Sequence, residues 1–208
     1  MMSAEQKAEW LSQRAGKLTA SRMKDAMDFL KNGNPSYKRT QYMRELLAER
    51  LTGLSMPHYV TDAMQWGLDH EDEAVDLFVE MTGRDVRLSR FYTHPEIPDF
   101  GATPDRELDD GLLEVKCPTT ATFIEWVTAG KVPDEHRPQM TAQLLCTGKN
   151  WCGFIAYDPR IRDERRRLFL RKFVPTLEEC AAVEQAARVF LADLERMFDQ
   201  FTQANSHD

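Results

Sequence analysis

The chain has few cysteines, and none of them is spaced as a metal or redox motif. Its four cysteines are Cys117, Cys146, Cys152 and Cys180, with no Cys-x-x-Cys pair and no tight C-terminal group among them. A tetracysteine zinc site and a four-cysteine iron–sulfur cluster are therefore not expected. We expect these residues to be buried free thiols.

Long apolar runs are also missing. No segment approaches the ~18 apolar residues that predict a membrane-spanning helix. The N-terminus reads Met-Met-Ser-Ala-Glu-Gln-Lys, without the apolar stretch of a signal peptide. We therefore expect a protein of the cytoplasm with no membrane contact. Repeats, low-complexity tracts and interdomain linkers are absent too, so residues 1–208 are interpreted as a single domain with one well-packed core.

The chain lacks the positive charge that is usual in nucleic-acid-binding proteins. Its 34 acidic residues outnumber its 27 basic ones, for a net charge of −7. Local charge matters more than the sum, and the segment 160–172 is strongly basic, as is the group Arg14, Lys17, Arg22 and Lys24. We expect an enclosed basic path on an otherwise acidic body. Arginines 165–167 taken alone favour a solvated face. For the whole segment 160–172, the alternatives are the lining of a DNA channel and a contact with a neighbouring subunit.

The stretch 101–118 carries the most informative residues. Glu114 and Lys116 project from one face of a strand, because side chains alternate with a period of two. The turn signal Asp-Asp-Gly at 109–111 predicts a hairpin that folds Asp105 back toward Glu114. Two carboxylates on a rigid scaffold suit Mg²⁺, and an adjacent lysine suits the activation of a water. A chance Glu-x-Lys salt bridge is the alternative interpretation.

A helix over 61–82, ending at Gly83, carries a further acidic candidate. Glu71 falls within the apolar stripe that includes Ala74, Val75 and Phe78. A carboxylate that faces inward must be paired, hydrogen-bonded or on a metal. We expect Glu71 at the functional site, with a partnership to a buried arginine or lysine as the alternative.

A second polar face is predicted on a helix over 134–145. Its residues His136, Gln139 and Gln143 are spaced to share one face. Amides there would hold a water or a phosphate oxygen; an exposed polar face is an equally weighted alternative.

The remaining pattern predicts an α/β fold with a short mixed sheet, flanking helices and the site on the central strands. Helices are expected over 3–14, 22–30, 36–51 and 119–126. Strands are expected over 86–92, 100–106, 112–116, 151–157 and 168–174. The capping box Thr176-x-x-Glu179 opens a long amphipathic C-terminal helix.

Several short strings together resemble one family. They are Trp10-Leu-Ser-Gln-Arg14, Leu18-Thr-Ala-Ser21, Met64-Gln-Trp-Gly, His70-Glu71, Thr103-Pro-Asp105, Glu114-Val-Lys-Cys-Pro118, Gln139 and Ala156-Tyr-Asp-Pro-Arg160. Their order resembles the phage lambda-type (YqaJ-like) alkaline exonucleases, within the restriction-endonuclease-like nucleases that carry the Pro-Asp…(Asp/Glu)-x-Lys signature. The resemblance implies a restriction-endonuclease-like core.

The resemblance also implies a role for each matching residue. Asp105, Glu114 and the carbonyl of Val115 would bind two Mg²⁺ ions, which Mn²⁺ could replace, and Lys116 would position the attacking water. Glu71 and Gln139 would lie at the edge of the site. The second glutamine of the family's Gln-x-Gln pattern is Thr141 here, and Gln143 is a possible substitute. A pocket for a DNA 5′-phosphate would consist of Arg14, Ser21 and Thr103.

The implied function is a Mg²⁺-dependent 5′→3′ exonuclease that digests one strand of linear double-stranded DNA. It would leave a 3′ overhang for recombination with a single-strand annealing protein, and it would act as a homotrimeric ring. Two alternatives remain open: a sequence- or structure-specific endonuclease of the same fold, and an inactive DNA-binding scaffold. The intact Asp105, Glu114 and Lys116 argue against the last.

Overall fold

The computed structural model of the protein describes residues 4–56 and 61–204. The first residue of the helix expected over 3–14 lies outside these residues. The described residues form seven α-helices and eight short strands. The helices are α1 (Ala4–Arg14), α2 (Met23–Ala26), α3 (Tyr37–Thr52), α4 (Asp62–Thr82), α5 (Thr120–Ala129), α6 (Arg137–Thr147) and α7 (Leu177–Ala204). None of them is both long and apolar enough to cross a membrane.

The strands form two sheets. Their bounds are β1 (Leu18–Thr19), β2 (Arg87–Leu88), β3 (Tyr92–Thr93), β4 (Phe100–Ala102), β5 (Arg106–Glu107), β6 (Leu112–Lys116), β7 (Cys152–Tyr157) and β8 (Leu168–Phe173). The five-stranded sheet has the order β2-β5-β6-β7-β8, and the three-stranded sheet has the order β1-β4-β3. Both sheets mix parallel and antiparallel pairs, which confirms the predicted mixed α/β fold.

Two predicted strands are wrong in their extent. The strand expected over 86–92 is two strands, β2 and β3, which belong to different sheets. The strand expected over 100–106 is likewise divided into β4 and β5. In the same N-terminal half, the helix expected over 22–30 is a short 3₁₀ turn followed by the four residues of α2. Propensity alone does not reveal where a chain leaves one sheet for another, because that depends on tertiary partners.

Helix ends follow the local chemistry of the sequence. Thr61 caps α4 by accepting a hydrogen bond from the amide of Met64, and Gly83 ends the helix with φ +65°. The capping box at α7 is reciprocal. Thr176 N donates to Glu179 Oε2 at 2.8 Å, and Glu179 N donates to Thr176 Oγ1 at 3.1 Å. Because such caps satisfy otherwise unpaired amides, short motifs predicted these boundaries correctly.

Helices cover both faces of the five-stranded sheet. On one face, Ala74, Val75 and Phe78 of α4 pack against Leu113 and Val115 of β6. On the other face, residues of α5 and α6 pack against Leu112, Phe154 and Ala156. A third cluster joins α2, α3, α6 and α7 to the small sheet. The central strand β6 is therefore buried on both sides, and its polar side chains need partners from the covering helices.

Candidate active site

The hairpin of β5 and β6 brings Asp105 to the centre of the large sheet. Its turn closes through Leu108 N, which donates to Gly111 O at 2.9 Å. Arg106 then lies opposite Leu113 in an antiparallel register. Just beyond the pair, Val115 N donates to Asp105 Oδ2 at 2.7 Å. The predicted hairpin is thus present, and it joins the Asp105 carboxylate to the backbone between Glu114 and Lys116.

The Glu114 carboxylate is fully buried, with 0% of its side chain exposed. It points toward α6, and each oxygen accepts an amide: Gln139 Nε2 donates to Oε1 at 2.6 Å, and Gln143 Nε2 donates to Oε2 at 2.6 Å. Lys116 Nζ forms an ion pair with the same Oε1. A carboxylate with three polar partners tolerates burial, because its charge remains hydrogen-bonded.

The α6 glutamines therefore differ from both sequence interpretations. Gln143 is fully buried rather than on an exposed face, and its amide holds Glu114 rather than a water or a phosphate. Thr141 is also buried, and it lines a small cavity with Met27 and Val183 on the other side of α6. The structure thus places Gln139 and Gln143, and not Thr141, at the site. His136 instead stacks on Phe154.

Glu71 has the buried arginine partner that was its alternative interpretation, and it also lies beside Asp105. It is partly buried, and its Oε1 accepts an ion-paired hydrogen bond from Arg106 Nη1. The same Nη1 donates to the carbonyl of Asp105 at 2.7 Å, and Nη2 of Arg106 pairs with Asp72. Glu71 and Asp105 also line one cavity of about 450 Å³, together with Val115 and Lys116. Arg106 therefore ties α4 to the residue that precedes β5.

The site contains three crowded carboxylates, of which Glu114 is fully buried and Asp105 and Glu71 are half-buried. Burial and the neighbouring Glu114 charge raise the pKa of Asp105 well above its ordinary value. Burial also raises the pKa of Glu71, against the opposing effect of Arg106. Although burial disfavours a charged Lys116, the Glu114 and Asp105 carboxylates raise its pKa above the usual range. The lysine therefore remains an ammonium.

A divalent cation fits this set of residues. Burial and then the Glu114 charge raise the pKa of Asp105, and a cation between the two carboxylates would offset both effects. No group of three or more His, Cys, Asp or Glu side chains converges as a metal site anywhere in 4–56 or 61–204. The oxygen ligands available here are the carboxylates of Asp105 and Glu114, and Val115 lines the same cavity as Asp105. A partial oxygen set suits Mg²⁺, which keeps several waters and binds substrate phosphates.

A second cavity, of about 400 Å³, contains two of the three predicted phosphate-binding residues. Arg14 and Ser21 line it, together with Trp10, Thr19 and Tyr42. No carboxylate among the described residues lies within ion-pair distance of Arg14, and burial lowers the pKa of its guanidinium without discharging it. A half-buried cation of this kind is suited to an anionic ligand.

Trp10 connects the third predicted residue to this cavity. Its indole Nε1 donates to Thr103 Oγ1 at 3.0 Å, across 93 residues of chain. The Arg14 guanidinium lies 4.1 Å from the centre of the Trp10 ring. Trp10 and Arg106 were not singled out from the sequence as site residues. For Arg106 a local signal existed, because it follows Asp105 directly.

Comparisons with known proteins identify a family and similar folds. Residues 9–150 match the YqaJ-like viral recombinase domain. The chain is similar to an alkaline exonuclease from Laribacter hongkongensis, with 36% identity over 94% of this chain and 96% of that one, at a TM-score of 0.85. The same figures hold for that protein's complex with dAMP.

A more distant match is a phage-related exonuclease from Haemophilus somnus 129PT. It is 13% identical over 91% of this chain and 96% of that one, with a TM-score of 0.67, which indicates a shared fold. No match was found among curated proteins.

Proposed function

Because the chain belongs to the YqaJ-like viral recombinase family, we propose that it is a Mg²⁺-dependent exonuclease acting on linear double-stranded DNA. It digests one strand in the 5′→3′ direction and leaves a 3′ overhang for recombination by strand annealing. The convergence of Asp105, Glu114 and Lys116 on the central strand is the observation that carries the proposal. The relative from Laribacter hongkongensis is an alkaline exonuclease and was solved with dAMP, a deoxynucleoside monophosphate.

Each residue of the site has its own role in the proposed hydrolysis. Asp105, Glu114 and the Val115 carbonyl would hold the metal ions, which would supply stabilisation of the charge on the attacking and leaving oxygens. Lys116 orients the attacking water. Gln139 and Gln143 fix the Glu114 carboxylate, and Arg106 holds Glu71 at the cavity wall. Water adds to the phosphorus and the bond to the 3′ oxygen breaks, so the shortened strand again begins with a 5′-phosphate.

The cavity around Arg14 accounts for the direction of digestion. Arg14, Ser21 and Thr103 bind the 5′-phosphate of the strand end. A guanidinium supplies two parallel donors to a phosphate, and each hydroxyl adds one more. Each cleavage leaves a new 5′-phosphate, so the same cavity would be used at every step.

The assembly is part of the proposal. A homotrimeric ring would enclose the DNA and would reconcile a net charge of −7 with an anionic substrate, because basic surfaces could face inward. The overhang would pass to a single-strand annealing protein. Mn²⁺ is expected to replace Mg²⁺, since both accept carboxylate oxygens.

The test compares linear duplex DNA with the same sequence as a covalently closed circle, each with Mg²⁺ and with chelator. We expect only the linear form to be degraded, and only with metal. Labels at the 5′ and 3′ ends then report polarity. Discrete fragments from the circle would replace the exonuclease with an endonuclease of the same fold, and no cleavage of either substrate would favour a DNA-binding scaffold.

A further inference from the structure

The loop that joins β7 to β8 starts beside the end of the active-site strand. Strands β6 and β7 are parallel, with Lys116 opposite Ala156. Strand β7 ends one residue later, at Tyr157. The carboxyl ends of neighbouring parallel strands lie at the same edge of a sheet. The loop over 158–167 therefore begins at the edge where Lys116 lies.

Arg160 fastens the base of this loop to the site. Its Nη2 donates to the Pro118 carbonyl at 2.8 Å, two residues beyond Lys116. Its Nε donates to the buried carboxylate of Asp158 at 2.7 Å. The guanidinium also lies 4.6 Å from the ring centre of Trp66 on α4. The loop is thus held to the segment after β6 and to the helix that carries Glu71.

The loop is also ordered internally. Asp163 caps a short 3₁₀ helix (Glu164–Arg166) by accepting a hydrogen bond from the amide of Arg165. Arg167 Nε donates to the Ile161 carbonyl at 2.8 Å, and its guanidinium pairs with Glu164. An ordered loop loses little conformational entropy when it binds a ligand.

This ordered loop carries an excess of exposed positive charge. Residues 160–167 include five arginines but only two acidic residues, Asp163 and Glu164. The Arg165 and Arg166 side chains are 88% and 80% exposed, and both share the single carboxylate of Asp163. Arg162 is exposed as well. The loop therefore keeps positive charge for a partner, on a chain whose net charge is −7.

We propose that this loop binds the phosphate backbone of the DNA duplex next to the cleavage site, through Arg162, Arg165 and Arg166. The inference rests on the proposed function and adds to it the surface that grips the duplex. A duplex presents one negative charge about every 1.7 Å, and each neutralised phosphate releases counterions. Arg160 and Arg167 act differently, because their contacts hold the loop in shape.

The test is the salt dependence of DNA binding by a variant with Arg162→Gln, Arg165→Gln and Arg166→Gln. The probe is a blunt, 5′-phosphorylated linear duplex, with chelator present so that no strand is consumed. The logarithm of the association constant falls linearly with the logarithm of the salt concentration. The loss of three phosphate contacts should make this slope less steep by about 2 to 3. At low salt the variant should bind at least about tenfold more weakly.

A matched control removes the same charge elsewhere. Lys38→Gln, Arg188→Gln and Arg196→Gln alter exposed residues of α3 and α7 and should leave the slope near that of the natural chain. An equal loss in loop and control variants would overturn the proposal, since total charge would then be the cause. An unchanged slope with a changed sedimentation mass would assign the loop to a subunit contact instead.

The two hypotheses fail separately, because binding with chelator requires no cleavage. If the unsubstituted protein binds DNA but does not cleave it with Mg²⁺, the proposed function is wrong. The binding assay still tests the contact between the loop and DNA. If the loop variant shows an unchanged salt slope and normal digestion, the proposed contact between the loop and DNA is wrong and the proposed function stands.

Discussion

Lys116 is held between the two carboxylates on which the proposed chemistry depends. Its ammonium pairs with Glu114, and the charges of Glu114 and Asp105 raise its pKa. In the proposed mechanism Lys116 would therefore orient the water and stabilise charge at neutral pH rather than act as a free base, because a proton acceptor must first lose its own proton.

Lys116→Ala should lower the rate of DNA cleavage by at least about 100-fold. Glu114 keeps its two glutamine donors, so the fold and the affinity for DNA should change little. Single-turnover digestion of a labelled linear duplex measures the first effect, and binding with chelator measures the second. Retention of most of the activity would remove Lys116 from the mechanism.

Trp10→Phe separates two contacts of the proposed phosphate cavity. Phenylalanine keeps an aromatic ring beside Arg14 but removes the indole N–H that donates to Thr103 Oγ1. With that acceptor site filled, the Thr103 hydroxyl is oriented to donate its own proton elsewhere. One lost hydrogen bond is worth about 0.5 to 1.5 kcal/mol, so digestion of 5′-phosphorylated ends should weaken about 2- to 10-fold.

The comparison that decides this prediction is the same duplex with a 5′-hydroxyl end. Trp10→Phe and Arg14→Ala should both reduce the preference for the phosphorylated end, and Arg14→Ala should do so more strongly because it removes a charge. Equal slowing on both kinds of end would show that Trp10 acts only on the packing of α1.

At the scale of elements, α6 holds Glu114 through two amides four residues apart. Both face β6, because residues i and i+4 lie on one side of a helix. The two glutamines differ in burial: Gln143 is fully buried, whereas Gln139 is partly exposed. The same substitution at both glutamines therefore tests how burial affects the strength of a hydrogen bond to one carboxylate.

Gln143→Leu should cost about 1 to 3 kcal/mol of unfolding free energy, because it leaves one oxygen of a buried carboxylate without its donor. Gln139→Leu removes the same group beside the same carboxylate, but water can replace it, so its cost should be smaller. Urea unfolding with chelator measures both. A larger loss for Gln139→Leu would show that burial does not set the strength of these contacts.

At the scale of the whole molecule, the charge distribution is the feature that the proposed ring would explain. The cavity around Arg14 is lined by Lys17 and Arg22 as well as by Glu45 and Glu49. The loop over 160–167 carries five arginines, whereas the chain as a whole is acidic. An inward-facing arrangement of the basic surfaces would concentrate the field where DNA passes.

We expect the protein to sediment at three times the mass of one chain at micromolar concentration. Sedimentation equilibrium across a range of concentrations measures the mass. A monomer throughout would contradict the ring and would leave the charge distribution to act within a single chain.

Local patterns in the sequence determined much of the architecture. The turn at 109–111 set the β5–β6 hairpin, and with it the meeting of Asp105 and the Glu114–Lys116 strand. Caps at Thr61 and Thr176 set the starts of α4 and α7. These features could be predicted because each depends on residues a few positions apart, where geometry follows directly from spacing.

Only the tertiary structure decided which partners those residues have. Trp10 meets Thr103 across 93 residues, and Arg106 pairs with Glu71 and Asp72 among the acidic residues of α4. Gln143 rather than Thr141 reaches Glu114 because of how α6 lies on the sheet. The division of two predicted strands between two sheets has the same origin. These pairings depend on how distant segments pack against one another. A local sequence pattern does not specify the angle or the distance between such segments.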